Sequence, residues 1–348
     1  MTTLILDPHW RRMDELFSPR ALDALGRYEV IWGKDAPIPE DLLQDALPKA
    51  DVLVAASPKV GRETLEKAPN LKAVVEVSGA FPDTIDYAAC AERGVEVLSC
   101  APGFRSAVAE MGLALTLSAS RGLVREHEAF RKGGERWLED CSETDFTLFG
   151  AKVGFVGYGQ IAQELTRLLA PFQPEISAYD PWLPKDIATQ FGVALTDLRG
   201  LAASSQVLYV TAVPTADNKG MIDAETLAEM ADHSVLVLLS RAHLVDFDAL
   251  TFEAQSGRLT VATDVFPLEP LAQAHAIRQL PNVVLSPHRA AAVPGGRHLI
   301  GDLLLQDIEA IRHSRDDRQL QKASFERMKS IAGVGDAQKV ANMASKRD

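Results

Sequence analysis

The stretch Val153-Gly154-Phe155-Val156-Gly157-Tyr158-Gly159-Gln160-Ile161-Ala162 decides the fold. Its apolar residues up to Val156 suit a buried parallel strand. Gly157, Gly159 and Ala162 match the G-x-G-x-x-G/A spacing in which backbone amides at a helix start hold a pyrophosphate. Bulky side chains would block that approach. An amphipathic helix is expected from Ile161 to Leu169. The next apolar run, Glu175 to Tyr179, ends at Asp180, where a carboxylate can accept hydrogen bonds from the adenosine ribose hydroxyls. That acid favours NAD over NADP. Alone, the glycines also fit a plain turn and Asp180 a helix cap before Pro181. Strand, turn, helix and acid in this order favour the nucleotide.

Working outward, short apolar runs recur upstream at Leu4 to Leu6, Tyr28 to Trp32, Val52 to Ala55, Ala73 to Val77 and Val95 to Leu98, with helix-like segments between them. Downstream they resume at Val207 to Val213, Val235 to Leu239, Leu259 to Val265 and Val283 to Leu285. Such alternation marks parallel sheets with crossover helices. The expected fold is therefore α/β: two Rossmann-like doubly wound domains with parallel sheets and a cleft between them. Residues 1–104 and 290–325 would form the substrate domain, 105–289 the NAD-binding domain, and 326–348 a polar, frayed tail. Ala107 to Leu123 reads as a linking helix and Gly301 to Arg312 as another. The polar stretch Arg125 to Phe149, with Gly133-Gly134 and Trp137, is too long for an ordinary connection and reads as an arm to another subunit.

The 348 residues suffice for two buried cores. A net charge of -12 without a basic cluster argues against a nucleic-acid partner. The three cysteines, Cys90, Cys100 and Cys141, have no C-x-x-C spacing and read as packing residues in a reduced interior. The apolar run after Met1 is too short for a signal sequence, and no stretch reaches membrane-spanning length. A cytoplasmic protein with no membrane partner and no metal is the expectation.

Ligands of open α/β sheets lie at the carboxyl ends of the strands, so titratable residues just after each apolar run carry the most interest. Three follow late runs: Arg241, Glu269 and His288. A guanidinium can grip a carboxylate bidentately and polarise a neighbouring carbonyl, which suits a 2-oxo acid. A carboxylate beside an imidazole favours the protonated ring, so Glu269 would equip His288 to deliver a proton. Singly, each also reads as an ordinary surface cap, loop acid or packed ring.

Together these residues resemble the D-isomer-specific 2-hydroxyacid dehydrogenases over roughly residues 50 to 312. The resemblance is carried by Ser78-Gly79-Ala80-Phe81-Pro82-Asp83-Thr84-Ile85-Asp86, Val108-Ala109-Glu110, the glycine turn through Asp180, Ser240 to Asp246, Thr263-Asp264-Val265-Phe266 with Glu269-Pro270, and Ser286-Pro287-His288. It implies Arg241 as carboxylate binder, Glu269 as partner of the base and His288 as general acid/base. It places NAD against Gly157, Tyr158, Gly159, Gln160, Ile161, Asp180, Val213, Pro214, Ser240, Arg241, Asp264 and His288, with Asp264 on the nicotinamide carboxamide. Backbone groups of Gly79 and Ala80, beside Ser78, would meet the substrate carboxylate. A homodimer through the NAD-binding domain is implied as well. Some relatives are NAD-responsive corepressor scaffolds, and that is the rival reading. Glu269, where the formate dehydrogenase branch has glutamine, counts against formate oxidation.

Four departures bear on substrate choice: Phe81 in place of a small glycine, Phe104-Arg105 in place of an asparagine, Ala242-His243 in place of Gly-Gly, and Arg289 to Ala292 after the histidine. Phe81 and Phe104 would narrow a pocket, and Arg105 would meet a second anionic group. The plainer reading makes the two aromatics core residues and Arg105 a solvated helix-start residue. His9 and Trp10, after the first strand, also stand where a ligand could be reached.

Overall fold

The structure, a computed structural model, describes residues 1–138 and 144–323. Cys141 and the tail expected over 326–348 lie outside them. The chain divides into two compact units, one of Met1–Arg105 with the chain from Ala291, the other of Ser106–Ala290.

In the first unit, β1 (Thr3–Asp7), β2 (Glu29–Trp32), β3 (Val52–Ala55), β4 (Ala73–Glu76) and β5 (Glu96–Ser99) pair in parallel in the order β5-β4-β3-β1-β2. All four residues of β3 and of β4 are buried, as strands covered on both faces must be. Leu4, Leu6, Val52, Val54 and Val75 pack on one face with the returning helix His298–Arg312. Ile5, Leu53, Val74 and Val97 pack on the other with Leu47, Leu65 and Cys90. A one-residue slip would exchange the two sets, so the pattern itself fixes the register. Strand order reverses at β1, which places the switch point between β1 and β3.

The returning helix begins before the expected Gly301. That glycine sits inside it, because a Cβ there would lie 2.7 Å from the Leu16 carbonyl oxygen and the Phe17 ring. A two-residue strand, Gln321–Lys322, adds antiparallel to β5 and is too short to leave a sequence signature. Cys90 and Cys100 are buried free thiols.

The second unit holds β6 (Lys152–Val156), β7 (Glu175–Tyr179), β8 (Ala194–Leu195), β9 (Val207–Val210), β10 (Val235–Leu238), β11 (Thr260–Thr263) and β12 (Val283–Leu285). All pair in parallel in the order β12-β11-β10-β9-β6-β7-β8, the dinucleotide-fold arrangement with its switch point between β6 and β9. Helix Gln160–Leu169 buries Ala162, Leu165, Thr166 and Leu169, a single stripe at helical spacing.

The helix expected over Ala107 to Leu123 runs instead over Arg105–Ser120 and is followed by a second, Leu123–Arg131. Gly122 separates them in the left-handed region at φ +55°, where few residues but glycine go. The second helix buries none of its residues, so it lacks the apolar period that would have betrayed it in the polar stretch. Among the described residues, no single helix is long and apolar enough to cross a membrane.

Candidate active site

The glycine turn leaves β6 at the switch point of the second sheet. Gly157 takes φ +83°, and a Cβ there would fall 2.4 Å from the Ala212 Cα. Thr211 Oγ1 donates to the Gly157 carbonyl at 2.6 Å, tying the turn to the end of β9. Gly159 is different: a Cβ there meets nothing within 4 Å, so its backbone lies open where helix Gln160–Leu169 starts. An open backbone at a helix N-terminus is what a pyrophosphate requires. Gln160 is exposed and Ile161 half-buried on the first helical turn.

Tyr158 serves this turn only through its backbone. Its ring is buried against Phe155 and Phe191, its hydroxyl pairs with Thr166 Oγ1 at 2.7 Å, and its N–H donates to Asp180 Oδ2 at 2.8 Å. Asp180 Oδ1 accepts from the Trp182 N–H at 3.0 Å. Asp180 thus braces the turn, and each oxygen keeps a lone pair for a ribose hydroxyl. Val213 is exposed and Pro214 half-buried after β9. Ser240 Oγ, after β10, is buried without a hydrogen-bond partner among the described residues. Open Gly159, braced Asp180 and the orphaned Ser240 hydroxyl all fit a dinucleotide.

The three expected reacting residues lie on the same unit, each past a strand's carboxyl end. Half-buried Arg241 donates from Nη1 to the Ser240 carbonyl at 2.7 Å. Glu269 is positioned by the Phe266 N–H, which donates to its Oε1 at 3.0 Å, and its Oε2 lies 2.7 Å from His288 Nδ1. The structure brings Glu269 and His288 into a hydrogen-bonded pair. His288 itself sits in a tight turn at φ +49°, its N–H bonded to the Ser286 carbonyl.

Asp264, expected at the nicotinamide carboxamide, also serves its own chain. It is 1% exposed, and its carboxylate accepts from Ser286 Oγ at 2.5 Å, the Arg289 N–H at 2.9 Å and the Ala290 N–H at 3.0 Å. Those bonds bracket His288, so Asp264 shapes the turn that carries the imidazole.

On the first unit, Ser78, Gly79, Ala80 and Phe81 form a half-buried loop after β4. The Gly79 and Ala80 amides, expected to meet a substrate carboxylate, both donate to the buried Glu76 at 2.8 and 2.7 Å. Phe81 and Phe104 pack against the two cores of that unit, which favours the plainer reading of both. Arg105 opens a helix and reaches toward the Pro102 carbonyl at 3.5 Å. Trp10 is half-buried beneath the Arg11 guanidinium, 4.3 Å from its ring centroid, and His9 is exposed.

The D-isomer specific 2-hydroxyacid dehydrogenase, NAD binding domain family matches residues 113–290. The hydroxypyruvate reductase of Thermotoga maritima is 30% identical over 77% of this chain and 87% of its own length. The chain belongs to the D-isomer specific 2-hydroxyacid dehydrogenase family. A phosphoglycerate oxidoreductase from Rhizobium etli shares its fold at a TM-score of 0.83, with 31% identity over 93% of this chain and 99% of that one. The D-3-phosphoglycerate dehydrogenase of Archaeoglobus fulgidus is 28% identical over 88% of this chain, but the match spans only 59% of its length.

Within this family member, three residues that shape these segments leave little mark in the sequence. Thr211 is one of several threonines at strand ends. His243, noted only as a departure, bonds through Nε2 to the Thr215 carbonyl at 2.8 Å and anchors the segment after Pro214. Glu76 left a signal that was passed over, an acid inside a valine run just before Ser78-Gly79.

Proposed function

We propose that the chain is an NAD(H)-dependent oxidoreductase that interconverts a D-2-hydroxy acid and its 2-oxo acid, with His288 as general acid/base. The observation that carries this is the 2.7 Å contact between His288 Nδ1 and Glu269 Oε2. An ionised carboxylate only accepts, so Nδ1 carries the proton of that bond and Nε2 is left to exchange one with substrate. The nicotinamide, when bound, supplies or takes the hydride at C2.

Arg241 binds the substrate carboxylate and polarises the adjacent carbonyl. In reduction, His288 gives the Nε2 proton to the new alkoxide; in oxidation, neutral His288 takes it from the hydroxyl. Asp180 favours NAD over NADP. The family match and the relatives' names support the reaction class.

A panel of 2-oxo acids tests the reading: glyoxylate, hydroxypyruvate, phenylpyruvate, branched-chain, dicarboxylic and phosphorylated members, each followed by NADH consumption. At least one should turn over robustly. NADH binding with no turnover across the panel would overturn the assignment. The same panel with Arg105→Ala should respond selectively on doubly anionic substrates if Arg105 forms a second anion site, and uniformly if it only caps its helix.

A homodimer in the reduced cytoplasm completes the proposal. Leu123, Phe130, Trp137, Leu138 and Phe149 are exposed on the second unit, an apolar set of the kind that subunit contacts cover. Sedimentation at micromolar concentration should give twice the chain mass, and a monomer would retire the dimer.

A further inference from the structure

Glu76 ends β4 and is fully buried. A buried carboxylate is costly unless its oxygens are hydrogen-bonded, and here both are. Oε1 accepts from the Ser78 N–H at 2.5 Å and from the Ser78 hydroxyl, while Oε2 accepts from the Gly79 and Ala80 N–H groups at 2.8 and 2.7 Å. Three successive amides converging on one anion make an anion-binding nest. The anion in this nest is the protein's own. Gly79 permits the turn, with φ +89° and a Cβ position only 2.8 Å from the Phe104 ring.

We infer that Glu76 is a positioning residue of the substrate loop: it draws the Ser78, Gly79 and Ala80 amides inward and so fixes the shape that the loop presents to a 2-oxo acid. This rests on the reaction proposed above.

The clamp is proton-linked. Burial pushes the Glu76 carboxyl up to about 7, against the pull of its hydrogen bonds. The ionisable groups facing it, Tyr87 on the following helix and Cys100 after β5, are both shifted upward by burial and stay neutral there. Protonation converts one accepting oxygen into a hydroxyl and removes the charge that strengthens the other bonds, so the hold on the loop N–H groups weakens. The loop therefore slackens as pH falls through about 7 and tightens as it rises.

Steady-state reduction of the best panel substrate, from about pH 6 to about pH 8.5, tests this in the wild type and in Glu76→Gln. The amide nitrogen of glutamine faces the loop donors with another donor. Wild-type KM should rise about 5- to 10-fold toward the acid end. The variant should show a KM about tenfold above the wild type's at the alkaline end and flat with pH, with NADH affinity unchanged. A lowered KM in Glu76→Gln would mean that freed amides bind the substrate and would overturn the inference, as would a wild-type pH profile in the variant. Should the variant not fold, hydrogen exchange at Ser78, Gly79 and Ala80 in the wild type decides: protection lost below about pH 7 supports the clamp, constant protection refutes it. A wild type that turns over no 2-oxo acid would sink the reaction instead, and the exchange measurement would still report on Glu76.

Discussion

His288→Ala should lower kcat for 2-oxo acid reduction by about 10³-fold, a loss of about 4 kcal/mol of transition-state stabilisation, while NADH affinity stays within about threefold. The alkoxide must take a proton as the hydride arrives, and water is a poorer donor than a positioned imidazole. Nε2 is the donating atom because Glu269 engages Nδ1 at 2.7 Å. Glu269 is itself fixed by the Phe266 N–H, so ring orientation is set by a chain of bonds from backbone to carboxylate to imidazole. Glu269→Gln should therefore cost less, about tenfold, because the amide oxygen can still accept from Nδ1 but the bond loses its charge assistance. Single-turnover rates with saturating NADH separate these outcomes from binding effects. Near wild-type turnover in His288→Ala would remove the imidazole from the chemistry.

What the sequence disclosed, and what it hid, follows one division. The β6 run, the turn at Gly157 and the stripe on helix Gln160–Leu169 are legible because each is decided locally, by burial and by backbone conformations that only glycine tolerates. Strand order is not local. That β1 lies between β3 and β2 while β6 lies between β9 and β7 depends on which way each crossover returns, and the apolar runs look alike either way. The same limit governs the site. Arg241, Glu269 and His288 were legible as residues following apolar runs and the last two as an expected pair, but the 2.7 Å geometry of that pair needs the segments after β11 and β12 side by side. Asp264 and Glu76 show the same limit. Each is an acid at a strand end, where a ligand contact and an internal cap have the same sequence pattern, and each is 0–1% exposed and accepts hydrogen bonds from its own chain.

The two glycines of the nucleotide turn should separate folding from binding. Gly157→Ala should lower the melting temperature by roughly 5–15 °C, since a Cβ 2.4 Å from the Ala212 Cα must push β9's end away and φ +83° strains any L side chain. Together these penalties come to about 2–5 kcal/mol. Gly159→Ala should leave the melting temperature within about 2 °C, because its φ of −79° is ordinary and its Cβ meets nothing within 4 Å. The same substitution fills the space where a pyrophosphate would approach the helix start, so NADH affinity should fall about 100-fold. Thermal melts with and without NADH measure both effects on one sample, because a ligand that binds only the folded chain raises the melting point by an amount that grows with the logarithm of its affinity. Wild-type NADH stabilisation in Gly159→Ala would mean that the dinucleotide does not lie on this turn. Reduced stabilisation in Gly157→Ala alone would not discriminate, since a displaced β9 disturbs the turn through Thr211 whether or not its backbone touches the ligand.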